Sequence, residues 1–240
     1  LRVRLWVDDI ESFHRICPAI VPGREAQHHR GVEVRRWREP FPAVIPADVV
    51  VEAFACNPPA SYVAAMAVRQ PKPAWINLEF LSAENWVEGC HALPSRHPSL
   101  PLVKHFFFPG FVAGSGGLLA EQGLAQARDR FQRSAAEQAR LWEDLGVPAP
   151  RAGELQVSLF CYPHQGVAAL LHAWAAGGTP VRCLAPEGTA TEALSAFFAA
   201  ENLAPGAVLR KAGLEVRIFP FLDQDQYDRL LWECDLNLVR

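Results

Sequence analysis

Short β-rich runs alternate with helical stretches along the whole chain, and that alternation limits the fold more than any other feature. Strand-like runs fall at residues 1–7, 32–37, 47–54, 74–78, 102–108, 155–160, 181–185, 214–219 and 236–239. Helical stretches lie between them: one that Asp8 or Asp9 can cap, ending at Cys17, one opened by Pro58-Pro59 and running to Val68, and others at 117–145, 166–176, 189–200 and 226–232. Most of the strand runs lack strict alternation of apolar and polar residues. Such runs separated by helices predict a parallel sheet covered on both faces. Residues 146–153 (Gly-Val-Pro-Ala-Pro-Arg-Ala-Gly) carry Gly and Pro breaks without apolar periodicity and are the best candidate for a linker. The expectation is therefore an α/β chain of two Rossmann-like domains, residues 1–148 and 149–240, with a ligand held between them.

Bulk properties exclude several classes. Half of the residues are hydrophobic and a fifth are charged, as in an ordinary globular chain. A net charge of -3 gives no reason to expect nucleic acid or a membrane surface as partner. No apolar run approaches the roughly 20 residues that span a bilayer, and no export signal is visible. The expected location is cytoplasmic. Six cysteines occur, none at metal-finger spacing, and most sit in apolar runs such as Val181-Arg182-Cys183-Leu184. They read as buried reduced thiols rather than disulfides or zinc ligands. The histidines His28, His29, His91, His97 and His105 lack helical i, i+4 pairing and read as surface or loop residues, so no metal is expected.

Familiar catalytic signatures are missing: Gly-x-Gly-x-x-Gly, the P-loop, Gly-x-Ser-x-Gly and His-Glu-x-x-His. Ser115-Gly116-Gly117, ahead of a helical stretch, is either a flexible helix start or a set of amides facing a phosphate. Phe160 and Tyr162 close the strand run at 155–160, where parallel strands present residues to ligands. They either line a crevice or pack as core and loop aromatics. The segment from Phe219 to Asp228 turns at Pro220 and opens a helix with acidic residues in its first turn. Phe221 and Tyr227 can sandwich a base while Gln224 reads its edge, since an amide offers both donor and acceptor. The alternative is a plain helix cap with two core aromatics.

Longer stretches carry a resemblance. Trp37-Arg38-Glu39-Pro40-Phe41-Pro42, Ile76-Asn77-Leu78-Glu79-Phe80-Leu81-Ser82-Ala83-Glu84 and Gly89-Cys90-His91-Ala92-Leu93-Pro94-Ser95 resemble the protein-arginine rhamnosyltransferase family of bacterial elongation factor P. So do Lys104-His105-Phe106-Phe107-Phe108-Pro109-Gly110-Phe111, residues 221–228 and Cys234-Asp235-Leu236-Asn237-Leu238-Val239-Arg240.

The resemblance implies a GT-B glycosyltransferase architecture. It also implies inverting, metal-independent transfer of rhamnose from dTDP-β-L-rhamnose to one arginine of elongation factor P, with no cofactor. The first domain would meet the acceptor protein and the second would hold the nucleotide-sugar. Phe160, Tyr162, Phe221, Gln224 and Tyr227 match donor-site positions, with Phe221 and Tyr227 flanking the thymine. Arg240 matches the arginine that opens the family's Arg-Gly-Glu-Asp-Ser loop.

The rest of that loop and the family's Gly-Asp-x-Gly segment find no counterpart here. The expectation is thus a chain truncated at both ends, with no catalytic carboxylate of its own and no activity. Arginine, whose pKa exceeds about 12, needs such carboxylates to orient and partly deprotonate it. Glu79, Ser82 and Glu84 follow a first-domain strand and are the acceptor-side candidates. A non-catalytic nucleotide-binding module is the alternative function.

Overall fold

The computed structural model describes every residue except Pro163, His164, Asn202 and Arg240, and only the backbone of Gln165. The chain divides into two compact units, Leu1–Gln122 and Gly123–Arg240.

The first unit holds two small sheets. Strand β1 (Val3–Val7) leads through helix α1 (Ile10–Ile16) to β2 (Ala26–His29) and β3 (Val32–Arg36). Their order is β1-β3-β2, with β1 parallel and β2 antiparallel to β3. Asp9 caps α1 as expected: its carboxylate accepts the Ser12 amide at 3.0 Å, satisfying a donor that the first turn leaves open. Ile10, Ile20 and Val34 form the core beneath it. The second sheet runs β4 (Val49–Ala53), α2 (Ala60–Val68), β5 (Ala74–Leu78), α3 (Val87–Cys90), β6 (Pro94–Arg96) and β7 (Val103–Phe107), in the order β4-β5-β7-β6. Its first three strands are parallel and β6 is antiparallel. Helix α2 starts behind Pro59, where a missing N–H costs nothing, and buries Val63, Met66 and Ala67 against Val50, Trp75 and Leu102.

The second unit is built on one five-stranded sheet. After helices α4 (Leu124–Gln132) and α5 (Ala135–Asp144) come β8 (Leu155–Phe160), α6 (Gln165–Ala176), β9 (Val181–Pro186) and α7 (Thr191–Phe198). Strands β10 (Val208–Lys211) and β11 (Leu214–Phe219), helix α8 (Gln224–Glu233) and β12 (Leu236–Val239) complete it. The order is β10-β11-β9-β8-β12, parallel except for the antiparallel edge strand β10. Leu171, Leu194 and Phe197 of α6 and α7 pack on Val157, Leu159, Cys183 and Val216. Trp142 and Leu230 of α5 and α8 pack with Leu184 and Phe219, which sit on the other face of the sheet. Helices thus cover both faces, and the uninterrupted apolar strands follow from that.

Three expectations change. The units divide between Gln122 and Gly123, whereas the linker signal lies at 146–153. Helices α4 and α5 side with the second unit because their apolar residues pack on α8: the Phe131 and Trp232 rings sit 5.8 Å apart. The Gly/Pro stretch itself is tied down, since Arg182 Nη1 donates to the Pro148 carbonyl at 2.7 Å. Residues 117–122 are not helical, and the helix starts only at Leu124, behind Gly123 in a left-handed conformation. The sheets are mixed rather than wholly parallel, because β2, β6 and β10 add antiparallel edges. Those strands are three or four residues long with at most two apolar residues each, too few to make an apolar run. Among the described residues no helix is long and apolar enough to cross a membrane.

Candidate functional site

In the second unit the carboxyl ends of the parallel strands gather most of the expected donor-site residues. Phe160 ends β8, beside Val239 at the end of β12. Two residues earlier, the buried Ser158 hydroxyl donates to Asn237 Oδ1 at 2.6 Å, and Asn237 Nδ2 donates to the Leu231 carbonyl at 3.0 Å. These bonds tie β8, β12 and α8 together directly beneath the rim. The Phe160 ring meets Tyr162 at 6.4 Å and 77°, and Tyr227 at 6.4 Å and 62°, both edge-on contacts favoured by ring quadrupoles. Tyr162 is 73% exposed. Tyr227 is half-buried beside Trp142 and Leu230, and burial, with Cys234 adding to it, pushes its phenol pKa up. Phe160 and Tyr227 are therefore packed, while Tyr162 presents an open face.

The turn after β11 supplies the rest. The Phe221 amide donates to Glu187 Oε1 at 3.2 Å, and the Glu187 amide donates to the Phe219 carbonyl at 2.9 Å, so the ends of β9 and β11 are clamped. The Phe221 ring stays largely exposed. Helix α8 opens with a full capping box: Asp223 accepts the Gln226 amide at 2.8 Å, and the Gln226 side chain accepts the Asp223 amide at 3.4 Å. Gln224 is exposed, and its Nε2 donates to Asp228 Oδ1 at 2.7 Å. With Asp223 and Asp225 at its first turn, the helix end already has its positive pole neutralised. This corner suits an uncharged aromatic ring with a hydrogen-bonding edge better than a diphosphate. Arg240 lies outside the described residues.

The acceptor-side candidates lie in the first unit, after β5. The Glu79 amide donates to the Phe107 carbonyl at 2.9 Å and its carboxylate accepts from Asn77 Nδ2. The buried Asn77 also accepts the Ala55 amide at 2.9 Å, so one side chain joins the loops after β4 and β5. Ser82 bridges to Gly110, its hydroxyl accepts the Glu84 amide at 3.1 Å, and the Glu84 carboxylate accepts from the Trp86 indole. Glu84 and Ser82 are thus engaged in shaping their own loop, and Glu79 is the carboxylate nearest the strand ends. Beside it the exposed Phe54 and Phe80 rings stack at 4.0 Å and 13°. Phe54 and Ala55 both hold left-handed backbone, with φ of 56° and 55°, a strain of about 1–3 kcal/mol each that functional loops tend to store. Sequence patterning missed this pair, because the two rings come from separate loops and nothing local announces that they meet.

Ser115-Gly116-Gly117 does not cradle an anion. The Ser115, Gly116 and Gly117 amides donate to the Val112 carbonyl, the Phe108 carbonyl and Ser115 Oγ respectively. Gly116 is required for a different reason: a Cβ there would lie 2.5 Å from the Phe107 ring. Among the described residues no group of His, Cys, Asp and Glu could hold a metal ion, and all six cysteines are free. Cys161 and Cys183 are buried as expected, but Cys56 is exposed on the loop after β4.

Known proteins resemble this sequence closely. Over residues 1–240 it matches the family described as Elongation-Factor P (EF-P) rhamnosyltransferase EarP. It is 46% identical over its whole length to the protein-arginine rhamnosyltransferase of Pseudomonas putida. It is 45% identical over 99% of its length to that of Pseudomonas aeruginosa. In each case the chain spans 63% of the relative's length. A solved structure described as "Structural basis for EarP-mediated arginine glycosylation of translation elongation factor EF-P" superposes with a TM-score of 0.57 at 29% identity, covering 99% of this chain and 66% of the other. The α/β fold, the spread of matching residues and this unbroken match agree: the chain belongs to the elongation factor P rhamnosyltransferase family.

Proposed function

We propose that the protein transfers rhamnose from dTDP-β-L-rhamnose to an arginine side chain of elongation factor P, in the cytoplasm, with inversion and without a metal. Relatives named protein-arginine rhamnosyltransferase support the reaction class, and the structure described for arginine glycosylation of elongation factor P supports the acceptor. The observation that carries the donor side is the aromatic corner of Phe160, Tyr162 and Tyr227, with Phe221 and Gln224 on the adjoining turn. In this reading the thymine lies against exposed aromatic faces and its edge meets the Gln224 amide. The GT-B arrangement and the roles of the two units, acceptor side first and nucleotide-sugar side second, belong to the same proposal.

On the acceptor side, Glu79 is the carboxylate that would attract and orient the guanidinium. One of its oxygens takes the Asn77 amide, which leaves the other for the substrate. An arginine side chain is a poor nucleophile until its proton is partly withdrawn, and in this reading Glu79 orients the guanidinium without taking that proton.

The donor half is tested by titrating thymidine diphosphate calorimetrically into the protein and into Phe221→Ala. Loss of one stacking face should weaken binding about tenfold, within the range measured for base–aromatic stacks. Unchanged affinity in a folded variant would remove Phe221 from the site. The reaction itself is tested with this chain carried in a protein of its relatives' full length, incubated with donor and elongation factor P, by looking for one deoxyhexose on the modified arginine by mass spectrometry; the 240 residues alone should add none.

A further inference from the structure

Gln224 and Asp228 stand one turn apart on α8, and their contact has a chemical consequence for which base the site can accept. The Gln224 Nε2 donates to Asp228 Oδ1 at 2.7 Å. A carboxamide has two flips, which exchange its acceptor oxygen and its donor nitrogen. A carboxylate has only acceptors to offer. Opposite Asp228, one flip makes a hydrogen bond and the other would bring two oxygens together with no proton between them. Asp228 is half-buried, on a side of α8 that lines a cavity with Arg130 and Phe131 of α4, and its hydrogen-bond contact is with Gln224, one turn before it.

We infer that Asp228 is a positioning residue that sets the flip of Gln224 and thereby the choice of pyrimidine. This rests on the proposal that Gln224 meets the base edge. With one N–H committed to Asp228, Gln224 keeps its carbonyl oxygen and one N–H for the ligand. A thymine or uracil edge presents a donor at N3 and an acceptor at O4. A cytosine edge presents the reverse, an acceptor at N3 and a donor at N4. At a fixed position of the base, the two edges require opposite amide flips. By holding the oxygen and nitrogen in one arrangement, Asp228 makes the keto pyrimidines fit and leaves cytosine with its N3 lone pair against the Gln224 oxygen and its N4 protons against the Gln224 N–H. Leaving such groups unpaired is what makes a hydrogen-bonding site selective.

The test is calorimetric titration of the wild-type protein, Asp228→Asn and Asp228→Ala with thymidine, uridine and cytidine diphosphates. The asparagine variant can meet either flip, and the alanine variant imposes none. In both, the preference for thymidine over cytidine diphosphate should shrink by about tenfold, inside the range that one amide pair to a base edge discriminates. The thymidine-to-uridine ratio should stay as in wild type, because those two bases share the edge in question. A merely structural role for Asp228 would weaken all three nucleotides in parallel and leave every ratio alone; that outcome overturns the inference, as does an unmoved thymidine-to-cytidine ratio. Should the alanine variant fail to fold, the nearly isosteric asparagine variant decides. Phe221→Ala separates the two levels. If it does not weaken thymidine diphosphate, or if wild type binds no nucleotide, the pocket proposal falls and this inference with it. If Phe221→Ala weakens binding while the Asp228 variants keep the wild-type ratio, only the role of Asp228 is lost.

Discussion

Strands β4 and β9 look alike as sequence and behave differently in the two units. Each is dominated by small and branched apolar residues, Val49-Val50-Val51 in one and Val181 to Ala185 around Arg182 in the other. All six residues of β9 are buried, since α6 and α7 lie on one face of its sheet and α5 and α8 on the other. In β4 only Val50 and Glu52 are buried; Val49 is 53% and Val51 57% exposed, and α2 covers one face. The units also treat buried charge differently. Arg182, 1% exposed, is ringed by Glu154 at 2.9 Å, Glu215 at 3.4 Å and the Pro148 carbonyl. Burial lowers its pKa while the two carboxylates pull it back up. Glu52 meets Lys104 Nζ at 2.5 Å and leaves its second oxygen without a hydrogen-bond partner. An apolar run therefore marks a strand but does not say how many of its faces will be covered.

The sharpest way to probe that contrast is Arg182→Met. Glu215 would keep Arg210 and Arg217, but Glu154 would lose its cation at a site that is almost closed to water. Stranding a buried carboxylate in this way should cost about 3–5 kcal/mol in urea denaturation. A loss under about 1 kcal/mol, typical of an exposed pair, would mean that the interior of the second unit is wet.

Core truncation should follow the same division. Leu194→Ala, at a fully buried site, should cost about 2–5 kcal/mol, whereas Val51→Thr should stay within about 0.5 kcal/mol. Equal costs would show that the outer face of β4 is covered after all, and the comparison would break there.

Alkali should distinguish the units next. Burial, reinforced by Asp235 and Glu233, pushes the Cys234 thiol up to about 12, and burial raises Cys183 as well. A folded-state pKa above the unfolded one favours the protonated native form. The stabilisation is complete below the ordinary thiol pKa of about 8.5 and is lost as the pH climbs through the raised value. Each thiol contributes a slope of at most about 1.4 kcal/mol per pH unit in that window. A Cys183→Ala, Cys234→Ala double variant should flatten the curve relative to wild type; parallel curves would contradict it.

The smallest effect is kinetic. A thiol reagent mapped by mass spectrometry should label the exposed Cys56 first and reach Cys161 and Cys183 only on unfolding. Early labelling of the buried pair would mean that the second unit opens as readily as the first.

Sequence alone determined the order of the strands marked by apolar runs and of most helices between them, but not β2, β6, β10 or α3, because apolar runs and punctuating Pro, Gly and Asp act over a few residues and owe little to partners. The Asp9 cap, the Pro59 start of α2 and the strands marked by apolar runs were legible in this way. The turn and helix start from Phe221 to Tyr227 also stood out, as a cluster of aromatic and amide residues behind a proline. Only the tertiary structure decided what depends on contacts between distant residues. It assigned α4 and α5 to the second unit through Phe131 and Trp232, and turned residues 146–153 from a linker into a strand approach held by Arg182. It also brought Glu187 under Phe221, stacked Phe54 on Phe80, and left one face of β4 bare. Local pattern encodes which residues prefer to be buried; which surfaces meet is settled by packing the finished elements, and that balance is summed over the whole chain.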